Sequence, residues 1–237
     1  MGRKHKKLLA GLVLLAMMSM TAGCQKDSGE DAEQTEPAEG ATYTITKVSG
    51  DIDWSKIPTA PIDQVLWTKD TGVRAQGQLC YDEEKLYVHL SAVEKNIRAE
   101  NTEPLSPVWE DSCLEFFFKM KDSDNYFNFE VNPNGCMCIQ YGPEKTDRDD
   151  IVRRDGDEYF DIHTDRTKDG WDVYYRIPLQ FFRIICPDYQ FGGELLANLY
   201  KCGDKAQPKH YLSWNKINLP EPNFHCPEFF GRMIFEE

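Results

Sequence analysis

Carboxylate and amide side chains alternate with apolar ones in two neighbouring stretches of the chain, residues 113–120 and 126–132. If both stretches are β-strands that pair as a hairpin, alternation places Glu115, Asn128 and Glu130 on one face. Carboxylates and amides can bind vicinal hydroxyls, and the aromatic rings among them can stack on apolar C–H surfaces. The pattern favours a polyhydroxylated ligand, although a solvated sheet face without a ligand has the same periodicity.

A tryptophan precedes the first of these stretches. Trp109 lies in the segment 107–111, among a proline and acidic residues, which is typical of a loop at the rim of a sheet. An exposed ring in such a loop is a good stacking platform. Trp171, by contrast, alternates in register with Val173 and Tyr175, which predicts a core position. Three further tryptophans have apolar neighbours and are predicted to pack rather than to bind: Trp54, Trp67 and Trp214.

The elements that position these residues are predicted to be strands. Runs rich in β-branched and aromatic residues recur between turns of Asp, Asn and Gly. The predicted strands are residues 74–82, 85–93, 113–120, 126–132, 136–141, 159–165 and 171–177. Many short strands joined in this way predict an all-β fold, an antiparallel β-sandwich of jelly-roll-like form. Only Pro178–Ile185 has a helical pattern, so one short helix is expected.

The N-terminal residues have the pattern of an export signal. A cationic start precedes the apolar run Leu8–Met20, which is too short to span a bilayer, and the small residues before Cys24 resemble a lipobox. We therefore expect residues 1–23 to be a lipoprotein signal peptide and Cys24 to be lipidated, with an ordinary signal peptide cut nearby as the alternative. Residues 24–40, which are acidic and poor in apolar residues, predict a flexible linker. Residues 41–237 suit one domain, held at the outer face of a bacterial cell membrane.

The exported chain is strongly acidic. Loss of the four leader cations takes Lys and Arg from 27 to 23 against 40 Asp and Glu, a net charge of about −17. Such a surface repels phosphate backbones, so no nucleic-acid partner is expected. Neutral ligands such as sugars remain possible, because they are held by stacking and hydrogen bonds.

Seven cysteines remain beyond Cys24, an odd number that leaves at least one unpaired. No Cys-x-x-Cys spacing occurs, so the ligands of zinc-ribbon and thioredoxin-like proteins are missing. Cys136 and Cys138 are predicted to be small, partly buried core residues.

The motifs of the chain resemble those of the family 9 carbohydrate-binding modules, above all those of the stand-alone family 9-like proteins of bacteria. The stretch Pro107–Phe118 is similar to the hallmark strand of the family, and Tyr126–Asn132 is similar to the strand that follows. Weaker similarity extends over the chain from about residue 41 to 237. It covers the early hairpin at 81–88, the late strands at 199–204 and 212–214, and the closing segment at 224–231.

The resemblance implies a β-sandwich that holds a sugar between two aromatic rings while carboxylates and amides bind its hydroxyls. Trp109 matches one ring of this clamp, and Phe224 stands where the second tryptophan would be. Glu115 matches an acidic ligand-contacting position, whereas Glu130 stands where the xylanase-attached modules have a basic residue. The early Asp-Gly pattern of the family's calcium sites is replaced by Pro61–Val65, so the resemblance indicates no clear calcium ligands.

We therefore predict a non-catalytic, lipid-anchored module that binds an oligosaccharide or polysaccharide through Trp109, Glu115, Asn128, Glu130 and Phe224 and supports its breakdown. Three alternative functions remain open. Glycoside hydrolysis could use Glu115 and Glu130, but two acids on an open sheet face would lack the pocket that raises the pKa of a catalytic acid. Calcium binding and haem binding are the others. Their candidate ligands are an acidic loop (Asp147, Asp149, Asp150, Asp155 and Asp157) and the histidines (His89, His163, His210 and His225).

Overall fold

Fourteen strands and two short α-helices make up the part of the chain that the computed structural model describes, residues 40–151 and 156–237. The strands are β1 (Thr42–Lys47), β2 (Ala60–Ile62), β3 (Gln64–Val65), β4 (Arg74–Tyr81), β5 (Lys85–Val93), β6 (Cys113–Met120), β7 (Tyr126–Val131), β8 (Met137–Glu144), β9 (Asp147–Asp150), β10 (His163–Arg166), β11 (Gly170–Pro178), β12 (Glu194–Gly203), β13 (His210–Ser213) and β14 (Gly231–Phe235). The α-helices are α1 (Gly156–Phe160) and α2 (Leu179–Ile185), and 3₁₀ turns span Trp54–Lys56, Val108–Glu110 and Pro227–Phe229. The predicted signal peptide, Cys24 and all of the linker except Gly40 lie outside the described residues.

The strands form two sheets, as predicted. One sheet has the order β9-β8-β7-β6-β12, and β12 also pairs with β14 and β13. The other has the order β10-β11-β5-β4, with β2 beside β4. Strand β1 joins the sheets, because Thr42–Ile45 pair with β14 and Thr46 and Lys47 pair with β4. These two pairings are parallel, and every other pairing in the described part of the chain is antiparallel.

The hydrophobic core lies between the two sheets. The inward residues of β6 and β7 are those that alternation predicts, namely Leu114, Phe116, Phe118, Phe127, Phe129 and Val131. Trp171 is fully buried in the same core, which confirms its prediction. The sheets approach closely at Gly77, where an added Cβ would lie 2.6 Å from a methyl carbon of Leu199 of the facing sheet.

One strand prediction was wrong in part. The strand expected at residues 159–165 begins only at His163, because α1 occupies the chain up to Phe160. Phe160 is buried against Phe129 and Phe181 of the core, which fixes the helix on the sandwich. The helix predicted at Pro178–Ile185 is confirmed as α2. None of the helices in the described ranges is long and apolar enough to cross a membrane.

Candidate functional site

A cleft of about 440 Å³ opens on the outer face of β6 and β7, away from the core. Its walls come from strands of one sheet and from the loops beside them. The lining residues are Trp67, Trp109, Glu115, Glu130, Gln140, Lys145, Cys202, Asp204, Tyr211, Pro222, Asn223, Phe224 and His225. Four of the five predicted site residues line the cleft, and Asn128 does not.

The outer face of the hairpin is covered rather than open. A second apolar cluster packs on this face and includes Phe117 and Tyr126 of the hairpin together with Phe224 and Phe230 of the C-terminal segment. Only 2% of Glu115 and 4% of Glu130 is exposed. The expectation of an open sheet face was wrong, because periodicity identifies the face of a strand but does not show whether a distant segment folds over it.

Glu115 and Glu130 lie directly opposite each other on β6 and β7. Side chains at such positions are neighbours, so two carboxylates meet there in a buried environment. Glu115 Oε1 and Glu130 Oε2 are buried and have no hydrogen-bond partner. Buried polar atoms are nearly always paired, so an unpaired carboxylate at a cleft indicates a place that a ligand fills.

Burial also changes the protonation of the pair. Burial, followed by the charge of Glu130, holds the pKa of Glu115 well above its ordinary value, although the thiol of Cys202 acts in the opposite direction. Burial raises the pKa of Glu130 to about 7, against the lowering effects of a hydrogen bond from Asn128 and the charge of Arg148. Two adjacent buried carboxylates cannot both ionise easily, so the pair retains protons near neutral pH. The sequence-based reason for setting hydrolysis aside, the lack of a pocket that raises the pKa, is therefore contradicted.

Asn128 lies behind Glu130 and holds it in place. It is fully buried, and its amide nitrogen donates to Glu130 Oε1 at 2.9 Å. Its carbonyl oxygen accepts two hydrogen bonds from Arg148, at 3.0 and 2.6 Å. The guanidinium of Arg148 lies over the ring of Tyr126, 4.1 Å from its centroid. Asn128 is thus a positioning residue in this structure.

Trp109 is the exposed ring of the cleft. It lies in the 3₁₀ turn Val108–Glu110, and 40% of its surface is accessible. Val108 is fully buried beneath it, and the Trp109 carbonyl accepts from the backbone N–H of Asp204 at 3.2 Å and from the thiol of Cys202 at 3.3 Å. The ring is therefore presented to solvent by a backbone that is fixed to the end of β12.

A buried carboxylate organises the loop that carries Trp109. Asp111 is fully buried and accepts hydrogen bonds from the backbone N–H groups of Glu100 and Asn101 and from the side chain of Asn132. Burial acts to raise the pKa of Asp111, but these donors outweigh it and the pKa falls below its ordinary value. Asp111 therefore ties the segment around residue 100 to the Trp109 turn, together with hydrogen bonds from Arg98 Nε to the Glu110 carbonyl and from the Asn101 side chain to the Pro107 carbonyl.

The second ring predicted for the clamp, Phe224, lines the cleft but is only 8% exposed. It stacks on Tyr200 with ring centroids 4.1 Å apart and planes 5° apart. Trp67 packs on it at 5.7 Å and is itself only half-buried. Trp67 packs against the second apolar cluster, as predicted, and its ring also lines the cleft while its Nε1 donates to the Leu219 carbonyl at 2.7 Å.

Sequence reasoning missed most of the polar rim. Asp204 accepts a hydrogen bond from the hydroxyl of Tyr211 and pairs with Lys209 at 3.2 Å. His225 contacts the Tyr126 hydroxyl at 2.9 Å, and burial followed by the charge of Arg148 lowers its pKa to about 3. Asp204 and His225 fall within the late motifs quoted for the family resemblance, and that position was the one available signal.

The candidate haem and calcium ligands are not brought together. His89 binds Gln78 and Asp172 on the outer face of the other sheet, whereas His210 lies beside Lys201 inside the sandwich. Among residues 40–151 and 156–237, no group of three or more His, Cys, Asp or Glu side chains could hold a metal ion. Of the acidic loop, Asp155 lies outside the described residues.

Comparisons with known proteins agree with this architecture. A family model described as carbohydrate-binding family 9 matches residues 47–235. A crystal structure from Bacteroides uniformis, provisionally described as a carbohydrate-binding protein, is 29% identical with a TM-score of 0.74, over 84% of this chain and 100% of that one. Among curated proteins there was no match.

Two structures of a family 9 module from Caldicellulosiruptor kristjanssonii have the same fold. They are complexes with glucose and with cellotriose, each 14% identical with a TM-score of 0.58. Each match covers 83% of this chain. It covers 96% of the module in the glucose complex and 94% of the module in the cellotriose complex.

Proposed function

The chain belongs to carbohydrate-binding family 9, and we propose that it binds a sugar chain in the cleft between Trp109 and the Glu115–Glu130 pair. One observation carries this proposal. Two buried carboxylate oxygens without partners belong to side chains that line a cleft, and an exposed indole ring lies at the rim of that cleft. A sugar supplies what both features lack, because its hydroxyls donate hydrogen bonds and its C–H face is apolar.

Different residues of the cleft make different contacts with the sugar. Trp109 offers a ring face for stacking, and Trp67 offers a second, partly exposed ring. Glu115 and Glu130 accept hydrogen bonds from hydroxyls, while Asn128 and Arg148 fix the position of Glu130 from behind. Because hydrogen bonds within the protein hold Glu130 and the backbone of Trp109, little ordering of these groups opposes binding.

The anchor and the biological role complete the proposal. A lipid on Cys24 would hold the module at the outer face of the membrane, and the acidic residues 24–40 would separate the binding face from the bilayer. A module held there would keep a glycan near the enzymes that break it down. The export pattern and the small residues before Cys24 support this part. Incorporation of a labelled fatty acid into the full chain, lost in Cys24→Ala, is the expected result, and equal labelling of both chains would overturn it.

Hydrolysis at Glu115 and Glu130 is the competing function, and one observation favours it. A pKa of about 7 for Glu130 would suit a catalytic acid. Membership in a family of binding modules favours binding without turnover. Incubating the full chain with oligosaccharides and measuring new reducing ends separates the two. We expect the native chain to release no more reducing ends than a Glu115→Gln, Glu130→Gln double variant.

Binding itself is tested by titration calorimetry of the full chain against a panel of oligosaccharides. The chain should be kept in a detergent without a sugar headgroup, since a sugar headgroup would compete with the glycan for the cleft. We expect heat of binding with at least one glycan and its loss in Trp109→Ala. Heat with no glycan, or equal binding by the variant, would overturn the proposal.

A further inference from the structure

We propose that the cleft selects a sugar that carries a protonated amino group over the corresponding neutral sugar. The inference rests on the proposed function, because it assumes that a sugar occupies the cleft. It concerns the chemistry at the cleft floor, where Glu115 and Glu130 meet.

The floor needs hydrogen-bond donors. Glu115 Oε1 and Glu130 Oε2 are acceptors without partners, and both side chains line the cleft. An ammonium group brings three donors and no acceptor, whereas each hydroxyl also brings lone pairs that need donors of their own. Hydrogen bonds from a cation to a carboxylate are about twice as strong as those between neutral groups.

The floor also lacks an ion pair. Within residues 40–151 and 156–237, no lysine or arginine forms an ion pair with Glu115 or Glu130. Lys145 is the one lysine or arginine among the described residues that line the cleft, and it is exposed. His225 adds no charge near neutral pH, since its pKa is lowered to about 3 by burial and then by the charge of Arg148.

Arg148 does not fill this role, although its charge lowers the pKa of Glu130. Its guanidinium donates to Asn128 and to the Tyr126 carbonyl, and it lies over the Tyr126 ring. These contacts keep it on the far side of Asn128 from the carboxylate pair. A ligand ammonium placed between Glu115 and Glu130 would take the place of the protons that the pair retains near neutral pH. Its attraction to the ionised carboxylates would be little screened, because their oxygens are buried.

Titration calorimetry with three linear trisaccharides of one linkage tests the proposal. They differ only at C2 of each sugar, which carries a hydroxyl, a free amine or an acetylated amine. At about pH 6.5, below the pKa of such an amine, we expect the amino trisaccharide to bind the full chain at least about tenfold more tightly than the other two. Equal or tighter binding of a neutral trisaccharide would overturn the inference and leave the proposed function standing. Binding of none of the three to the native chain would count against both.

Variants locate the preference. Glu130→Gln should weaken binding of the amino trisaccharide by about tenfold more than it weakens binding of the neutral trisaccharide, since the amide keeps the shape of the side chain but not its charge. Glu144→Gln is the matched control, because Glu144 is an exposed carboxylate next to Lys145 that does not line the cleft. A loss of preference in Glu144→Gln equal to that in Glu130→Gln would show general attraction by an acidic surface and would contradict a site at the carboxylate pair.

Discussion

Glu94, which directly follows β5, and the Glu115–Glu130 pair of β6 and β7 are buried carboxylates of this sandwich, and they differ in their partners. Glu94 is inside the protein and accepts from Trp171 Nε1 at 2.7 Å and Ser112 Oγ at 3.0 Å. It also pairs with the fully buried Lys201 at 3.1 Å, and Lys201 Nζ contacts His210 at 2.8 Å. Each oxygen of Glu94 therefore has a partner within the protein, and its charge is matched.

Glu115 and Glu130 are equally buried, but each has an oxygen without a hydrogen-bond partner. Neither forms an ion pair with a lysine or arginine of the described residues. The difference shows that burial alone does not separate structure from function in this fold. A buried carboxylate whose bonds are all made stabilises the protein, whereas one with an unmade bond at a cleft is available to a ligand.

The largest expected effect is at the satisfied carboxylate. Glu94→Gln should lower the free energy of unfolding by about 3–5 kcal/mol, because Lys201 would remain buried without a countercharge. Denaturant unfolding of the full chain measures this. A loss below about 1 kcal/mol would mean that the two groups do not differ as described.

Substitution in the Glu115–Glu130 pair should stabilise the protein at high pH, whereas Glu94→Gln should destabilise it. Because the pKa of Glu130 is raised to about 7 from 4.5, its protonated form favours folding, and that stability is lost as the pH rises from 4.5 through about 7. Glu130→Gln escapes this loss, so its stability relative to the native chain should grow over that range, by up to about 3 kcal/mol. Unfolding of both chains at several pH values checks the sign. A stability difference that stays constant or shrinks between pH 4.5 and pH 8 would contradict the prediction.

Trp109→Ala should change binding and leave folding alone. An exposed aromatic anchor contributes about 2 kcal/mol or more to binding, which corresponds to a loss of affinity of about 30-fold. The midpoint of thermal unfolding should stay within the error of the native chain, since the ring is 40% exposed. Phe118→Ala is the matched control in the core. It should lower the midpoint of thermal unfolding strongly, and the folded fraction should still bind the sugar.

Asp111→Asn should have the smallest effect, on the loop that presents Trp109. Replacing one carboxylate oxygen by a donor breaks a hydrogen bond from Glu100 or Asn101, at a cost of about 1.5 kcal/mol in stability. Hydrogen exchange of the Glu100 and Asn101 amides should become faster. Unchanged exchange at both amides would show that Asp111 does not hold the loop.

The sequence predicts the strands well where one face of a strand meets the core. Leu114, Phe116 and Phe129 alternate with polar residues because β6 and β7 have one face in the core, and the prediction of their inward face is confirmed. Alternation also predicts that Glu115 and Glu130 share a face, and the structure adds the register that sets them opposite each other. The face on which each side chain lies is a local property of a strand, so the alternation of apolar and polar residues is enough to predict it.

The rest of the cleft depends on contacts between distant parts of the chain. Burial of Glu115 and Glu130 requires the segment that carries Phe224 and Phe230 to cover the sheet, and Trp67 reaches the same cleft from near the other end of the domain. Asn128 shares a face with Glu130, yet Arg148, twenty residues away, withdraws it from the cleft by binding its carbonyl oxygen. No spacing in the sequence predicts these contacts.

The central claim is that the unpaired oxygens of Glu115 and Glu130 receive donors from a sugar. Carbon NMR of labelled glutamate carboxyls in the full chain, assigned by comparison with Glu130→Gln, measures the pKa of Glu130 directly. We predict a pKa of about 7 in the free protein and a fall when a bound glycan donates to the carboxylate, since donors favour its ionised form. An ordinary pKa in the free protein, or a pKa that does not move at saturation with a glycan that binds, would contradict the account.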